Sequence, residues 1–124
     1  MADAKQVVLD FCKAWEALDK ERILDAFTDD AVYHNMPMAP AHGKEAIGQL
    51  LTMILSQATD GVRFEIRNIV ADGDVVLTER IDTFTLGEKK IRLDVMGTFE
   101  LRDGKIAAWR DYFDLAQWKK QASA

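Results

Sequence analysis

The sequence predicts an α+β domain, with helices on one side of a curved, mixed or antiparallel sheet that wraps around them. Three observations carry that expectation. Apolar residues recur at helical spacing through the first half of the chain, and the period changes to two from Val62 onward. The period-two runs are joined by short turns built on Gly and Asp.

Each element can be justified in chain order. Residues 4 to 18 place Val7, Val8, Phe11, Cys12, Trp15 and Leu18 on one helical face, with charged residues between them. A short second helix is expected near residues 20 to 27, carrying Ile23, Leu24 and Phe27. "TDDAVYHNMP" then offers a short extended segment, closed by Pro37 and Pro40. "HGKEAIGQLLTMILSQATDG" predicts a third helix, with Ile47, Leu50, Leu51, Ile54 and Leu55 on its apolar side. Four strands follow, "VRFEIRNIV", "DVVLTERIDTFTL", "KIRLDVMGTFEL" and "KIAAWRDYFD". Their connections "ADGD", "GEK" and "RDGK" suit hairpins, because Gly and Asp tolerate left-handed backbone angles. "LAQWKKQ" predicts a last short helix. A long sheet curved around helices leaves a concavity between the layers, a usual place for a small-molecule site.

Composition narrows the function. A chain of 124 residues that is 48% hydrophobic is expected to form one soluble domain, spanning residues 1–124. A net charge of −5 opposes general attraction to nucleic acid or an anionic membrane, since both require a basic surface. The apolar runs are too short to span a bilayer, and "MADAKQVVLDFC" has no secretory core, so a cytoplasmic location is expected. One cysteine, Cys12, cannot form an internal disulfide, and its neighbours on the helix make it a buried small hydrophobe. His34 and His42 lack partners at metal-ligand spacing. Neither a phosphate-binding glycine loop nor a nucleophile-elbow serine is present.

The chemistry is in the strand faces. Neighbours two apart on an extended chain share a face, so Arg80 and Asp82 point with Val76, Thr78 and Phe84. By the same rule Asp111 points with Trp109 and Phe113, and Leu93 with Val95 and Gly97. If the apolar faces turn inward, two aspartates and an arginine enter the interior together. Burying a lone carboxylate costs several kcal/mol, so each Asp needs a partner, and Arg80 is the natural one. Two aspartates around one arginine favour a proton on one of them, which supplies an acid and a base at the same pH. Solvated surface pairs would produce the same alternation. Tyr33 and Asn35 share a face of the extended segment and can both donate and accept hydrogen bonds, although polar residues before a proline also suit a plain turn. Met36, Met38 and Met53 fit as core or pocket fillers.

"YHNMPMAPAHGKEAI", "TERID" and "GTFELRDGKIAAWRDYFDL" resemble the signature segments of the limonene-1,2-epoxide hydrolase family, within the nuclear-transport-factor-2-like (SnoaL-like) superfamily. The resemblance covers roughly residues 5 to 118 and implies a cone-shaped fold with an internal pocket. It implies an Asp–Arg–Asp triad in which Asp111 is the general base, Asp82 the general acid and Arg80 the bridge. Tyr33 and Asn35 match the residues that hold the attacking water. Leu93, Val95 and Phe113 match apolar pocket positions, although each also suits ordinary sheet core; Met36 and Trp109 are taken as further substrate contacts. Met38 stands where a leucine is frequent. The family implies a hydrophobic epoxide and water as reactants, a vicinal diol as product, no metal or organic cofactor, and a homodimer through the outer sheet face. The superfamily also hosts isomerases, dehydratases, cyclases and non-catalytic binding modules, so fold alone does not choose among them.

Overall fold

Asp3 starts the first helix by accepting a hydrogen bond from the Lys5 amide at 3.0 Å, satisfying one of the donors that a helix start leaves free. In the computed structural model, which describes residues 3–123, α1 (Ala4–Glu16) buries Val8, Phe11, Cys12 and Trp15 on one face. Asp19 caps α2 (Lys20–Asp25) in the same way through the Arg22 amide. This second helix stops earlier than the sequence spacing suggests. Phe27 is already the first residue of β1 (Phe27–Asn35), paired with Ile106, and a residue held in a sheet ladder cannot also extend a helix.

A two-residue strand, β2 (Ala41–His42), was not foreseen; it leads into α3 (Gly43–Gln57). The four period-two runs form β3 (Val62–Asp72), β4 (Val75–Leu86), β5 (Lys89–Arg102) and β6 (Lys105–Tyr112). The β5–β6 turn places Asp103 and Gly104 at φ 53° and 78°, the pair of positive angles that a two-residue hairpin of matching twist requires. The C-terminal helix is α4 (Leu115–Ser123).

The six strands form one unclosed sheet in the order β2-β1-β6-β5-β4-β3. Every pairing is antiparallel except β1 with β6, which is parallel and sets Tyr33 beside Trp109 and Asn35 beside Asp111. The strands alternate between faces as the sequence indicates. In β4 the even-numbered residues from Val76 to Asp82 are buried, and in β5 the odd-numbered ones from Ile91 to Leu101. Helix α1 lies in the concavity, where Phe11 meets Phe27, Phe99 and Trp109 edge-on, with centroids 5.4, 6.0 and 5.0 Å away. Such edge-to-face contacts contribute about 0.5–1.5 kcal/mol each beyond burial. Among the described residues no helix is long and apolar enough to cross a membrane.

Candidate active site

Three strands aim polar groups into the apolar interior: β4 supplies Thr78, Arg80 and Asp82, β6 supplies Asp111, and β1 supplies Tyr33 and Asn35. Arg80 is 1% exposed, Asp82 6% and Asp111 4%, so these are buried charges and not a solvated surface pair.

All five guanidinium donors of Arg80 are used. Nε and Nη2 grip Asp82 Oδ1 and Oδ2 at 2.9 and 2.7 Å. Nη1 and Nη2 grip Asp111 Oδ1 and Oδ2 at 3.1 and 2.7 Å. The remaining Nη1 hydrogen goes to Thr78 Oγ1 at 3.1 Å. The rings of Phe64 and Trp109 flank the cation, with centroids 4.9 and 5.9 Å from its central carbon. A fork with its donors fully committed holds both carboxylates in fixed geometry.

The sheet register makes room for this cluster at Gly97, which pairs with Thr78 on one side and Asp111 on the other. A methyl group there would stand 2.5 Å from Asp111 Oδ1 and 3.0 Å from Thr78 Oγ1, and would also collide with Arg80 Nη1. Only a residue without a side chain fits.

The two carboxylates are not equivalent. Asp111 Oδ1 also accepts the Trp109 indole N–H at 2.7 Å, whereas among the described residues both Asp82 oxygens are held by Arg80 alone. Burial pushes the Asp82 carboxyl above the ordinary carboxylate value, against the pull of Arg80's hydrogen bonds and charge. Burial would by itself lower the guanidinium, but the carboxylates of Asp111 and Asp82 raise it further, so Arg80 stays charged. Burial, with help from the Asp111 charge, also raises the Tyr33 phenol and keeps it neutral. The Cys12 thiol is pushed up to about 12 by burial and stays protonated at neutral pH.

Asp82 and Asp111 form part of the wall of a cavity of about 350 Å³. Of the residues expected from the sequence, Tyr33, Asn35, Leu93, Val95, Trp109 and Phe113 line it too. Met36 does not. It lies in the turn just beyond the end of β1, where its backbone N–H bonds the Asp111 carbonyl at 2.9 Å. Met38 takes the place in the wall expected of Met36. His34 donates its Nε2–H to the Met38 carbonyl at 2.8 Å, a structural use of the ring.

Sequence reading missed three contributors. Phe64 covers Arg80 from β3, and its half-buried place in an alternating strand was the available signal. Thr78 lies on the same face as Arg80, two residues away, yet a threonine in a strand is too ordinary to single out. Trp118 adds to the cavity wall from α4. That helix is tied to the part of β5 that β6 does not cover. Gln121 imitates a neighbouring strand, accepting from the Arg92 amide at 2.7 Å and donating to its carbonyl at 2.8 Å.

An apolar chamber with two buried aspartates bridged by an arginine in its wall is the kind of site in which small-molecule enzymes work. The chain belongs to the limonene-1,2-epoxide hydrolase family, whose catalytic-domain model matches residues 2–123, and it is an epoxide hydrolase by that membership. Epoxide hydrolase EphG of Mycobacterium tuberculosis (strain ATCC 25618 / H37Rv) is 37% identical over 105 residues, 85% of this chain and 69% of that protein. The structure of an M. tuberculosis LEH-like epoxide hydrolase has 34% identity and a TM-score of 0.85, covering 97% of this chain and 90% of that one. An NTF2-like protein from Anabaena variabilis ATCC 29413 shares the fold at 22% identity and a TM-score of 0.78, covering 90% and 86%.

Proposed function

We propose that this enzyme adds water to a hydrophobic epoxide, cyclic or terpene-like, and releases a vicinal diol in one step. The observation that carries the reading is the Asp82–Arg80–Asp111 cluster, buried in the wall of an apolar chamber with the Asp82 carboxyl pushed upward. Arg80 balances one negative charge, so the cluster is neutral when Asp82 keeps its proton and Asp111 does not.

In that state the roles divide. Tyr33 and Asn35 hold a water against the epoxide carbon, and Asp111 takes its proton as the new C–O bond forms. The ring C–O bond breaks on the same carbon, and Asp82 delivers its proton to the departing oxygen. Both transfers lower the barrier of a strained ring whose weakness is its poor alkoxide leaving group, each typically contributing about 10²–10⁴-fold. The cycle closes when the proton on Asp111 is lost and Asp82 regains one, by way of Arg80 or solvent. No metal or organic cofactor has a part in these steps.

Leu93, Val95, Phe84, Phe113 and Trp118 in the wall support an apolar substrate, and about 350 Å³ lies toward the small end of ordinary ligand pockets, roughly 300–1,000 Å³. The charged bridge speaks against an isomerase, whose oxyanion is better served by neutral donors. It also speaks against a plain binding module, where apolar replacements would be as stable. Exposed Val70, Leu77, Met96 and Tyr112 on the outer sheet support a homodimer across that face, which sedimentation velocity would measure. A cytoplasmic location, against which the single buried Cys12 does not speak, would be checked by localisation of a tagged chain in its host.

The test is a panel of limonene oxide, cyclohexene oxide and styrene oxide in ¹⁸O-water. The wild type should place label in the diol, and Asp82→Asn and Asp111→Asn should each abolish diol formation with the far-UV spectrum unchanged. Full activity in either variant, or an unlabelled product, would overturn the mechanism.

A further inference from the structure

We infer that Trp109 is a positioning residue for hydrolysis: its indole N–H closes one oxygen of Asp111, directing the proton of water to the other, while its ring fixes the plane of Tyr33. The inference rests on the roles proposed above for Asp111 and Tyr33, and it starts from a count of lone pairs. A carboxylate oxygen offers two acceptor positions. Asp111 Oδ1 has both filled, by Arg80 Nη1 at 3.1 Å and Trp109 Nε1 at 2.7 Å. Oδ2 has one filled, by Arg80 Nη2 at 2.7 Å. One acceptor position on Oδ2 is left for the proton of water.

The indole also breaks the symmetry of the cluster. Asp111 receives three donors and Asp82 two, so the carboxylate charge is better satisfied on Asp111. Without Trp109 the two aspartates would be held by Arg80 almost equally.

The ring acts on the other side of the reaction. Tyr33 stacks on Trp109 with centroids 4.2 Å apart and planes 5° from parallel. The parallel register sets Tyr33 against Trp109 and Asn35 against Asp111, so two adjacent strands present a two-by-two array of ring, ring, amide and carboxylate. Trp109 is 1% exposed and wedged by Phe11 and Phe99, with centroids 5.0 and 5.4 Å away, which prevents the indole from turning. A wall residue needs only apolar surface; one that spans the base and the water-holding phenol orients both.

The titratable and charged groups facing Asp111 are Arg80 and Asp82 from β4, Tyr33 from β1 and Cys12 from α1. Burial keeps Tyr33 and Cys12 protonated, so neither contributes to the acidic limb of a kcat/KM profile.

Trp109→Phe keeps an aromatic face and removes the N–H. The acidic limb should move to higher pH by about one unit or more, the effect of losing one hydrogen bond to a charged group. kcat at neutral pH should fall about tenfold, with KM changed far less. A site-specific β-(3-benzothienyl)alanine at position 109, which replaces N–H by sulfur and keeps the outline, should show the same shift and decides the matter if the Phe variant does not fold. An unmoved limb in the folded variants overturns the inference. Wild-type diol formation that needs both aspartates, combined with an unmoved limb, removes only the role of Trp109; a wild type that makes no diol removes the hydrolytic reading itself.

Discussion

Replacing Gly97 by alanine adds one methyl group at the centre of the cluster, and the structure sets the cost. The new carbon would lie 2.5 Å from Asp111 Oδ1, and ordinary contact begins near 3.4 Å, so the carboxylate must retreat by roughly 0.9 Å (3.4 − 2.5) or the strand must shift. Nothing nearby yields easily: Arg80 has every donor engaged, and Thr78 accepts from it at 3.1 Å. Overpacking of this kind costs about 1–3 kcal/mol. At roughly 4 °C per kcal/mol for a chain of this size, Tm should fall by roughly 4–12 °C. A displacement of the base on the order of 1 Å costs about 10²-fold, so kcat/KM should drop about a hundredfold in a variant that still folds. The control is Gly48→Ala in α3, where the added carbon would meet Leu24 at an ordinary 3.6 Å. Removing a helical glycine there should raise stability by up to about 1 kcal/mol and leave turnover untouched. Thermal melts by circular dichroism and diol formation by chiral gas chromatography read both quantities. A Gly97→Ala protein with wild-type Tm and turnover within about twofold would refute the tight placement of the triad.

Two other outcomes are expected. Burial raises the Asp82 carboxyl above 3.8, so the folded state binds this proton more tightly than the unfolded chain. The resulting stability is fully present below 3.8 and is lost as pH rises through the higher folded value. Asn cannot titrate, so the wild type should lose stability relative to Asp82→Asn as pH rises from about 4 to 7; urea midpoints measure this, and a gain would contradict it. Trp118→Ala should enlarge the chamber on the side that α4 lines. The kcat/KM ratio of a bulky to a small epoxide should then rise about tenfold, and an unchanged ratio would show that Trp118 does not bound the substrate.

Much of this was legible because strands obey parity. Arg80, Asp82 and Asp111 could be assigned to the inner face from their neighbours, and the hairpin glycines located the turns that keep that parity in register. Relations between strands distant in sequence were not legible. Nothing local shows that β1 runs parallel to β6, although that pairing sets Tyr33 against Trp109. Trp109 could be read as a pocket wall, but its N–H partner depends on a rotamer. Met36 shows the limit of reasoning by proximity in sequence, since the strand ends at Asn35 and the next residue, in the turn, is not part of the cavity wall. The Gln121 tether of α4 lacks a sequence signature, because a glutamine satisfies a bare strand edge only once the edge exists.

The place of β6 has a consequence for how the enzyme comes into being. It is the last strand in the chain yet the third of six across the sheet, wedged between β1 and β5. A nascent chain short of residues 105–112 can pair β3, β4 and β5 and so carries Arg80 and Asp82, while Tyr33 and Asn35 wait on a segment that has no neighbour on that side. Such an intermediate lacks Asp111, and it displays two raw strand edges that invite association with other chains. Insertion of one eight-residue strand seals both edges and delivers Asp111 in the same event, so catalytic competence and protection from aggregation arrive together.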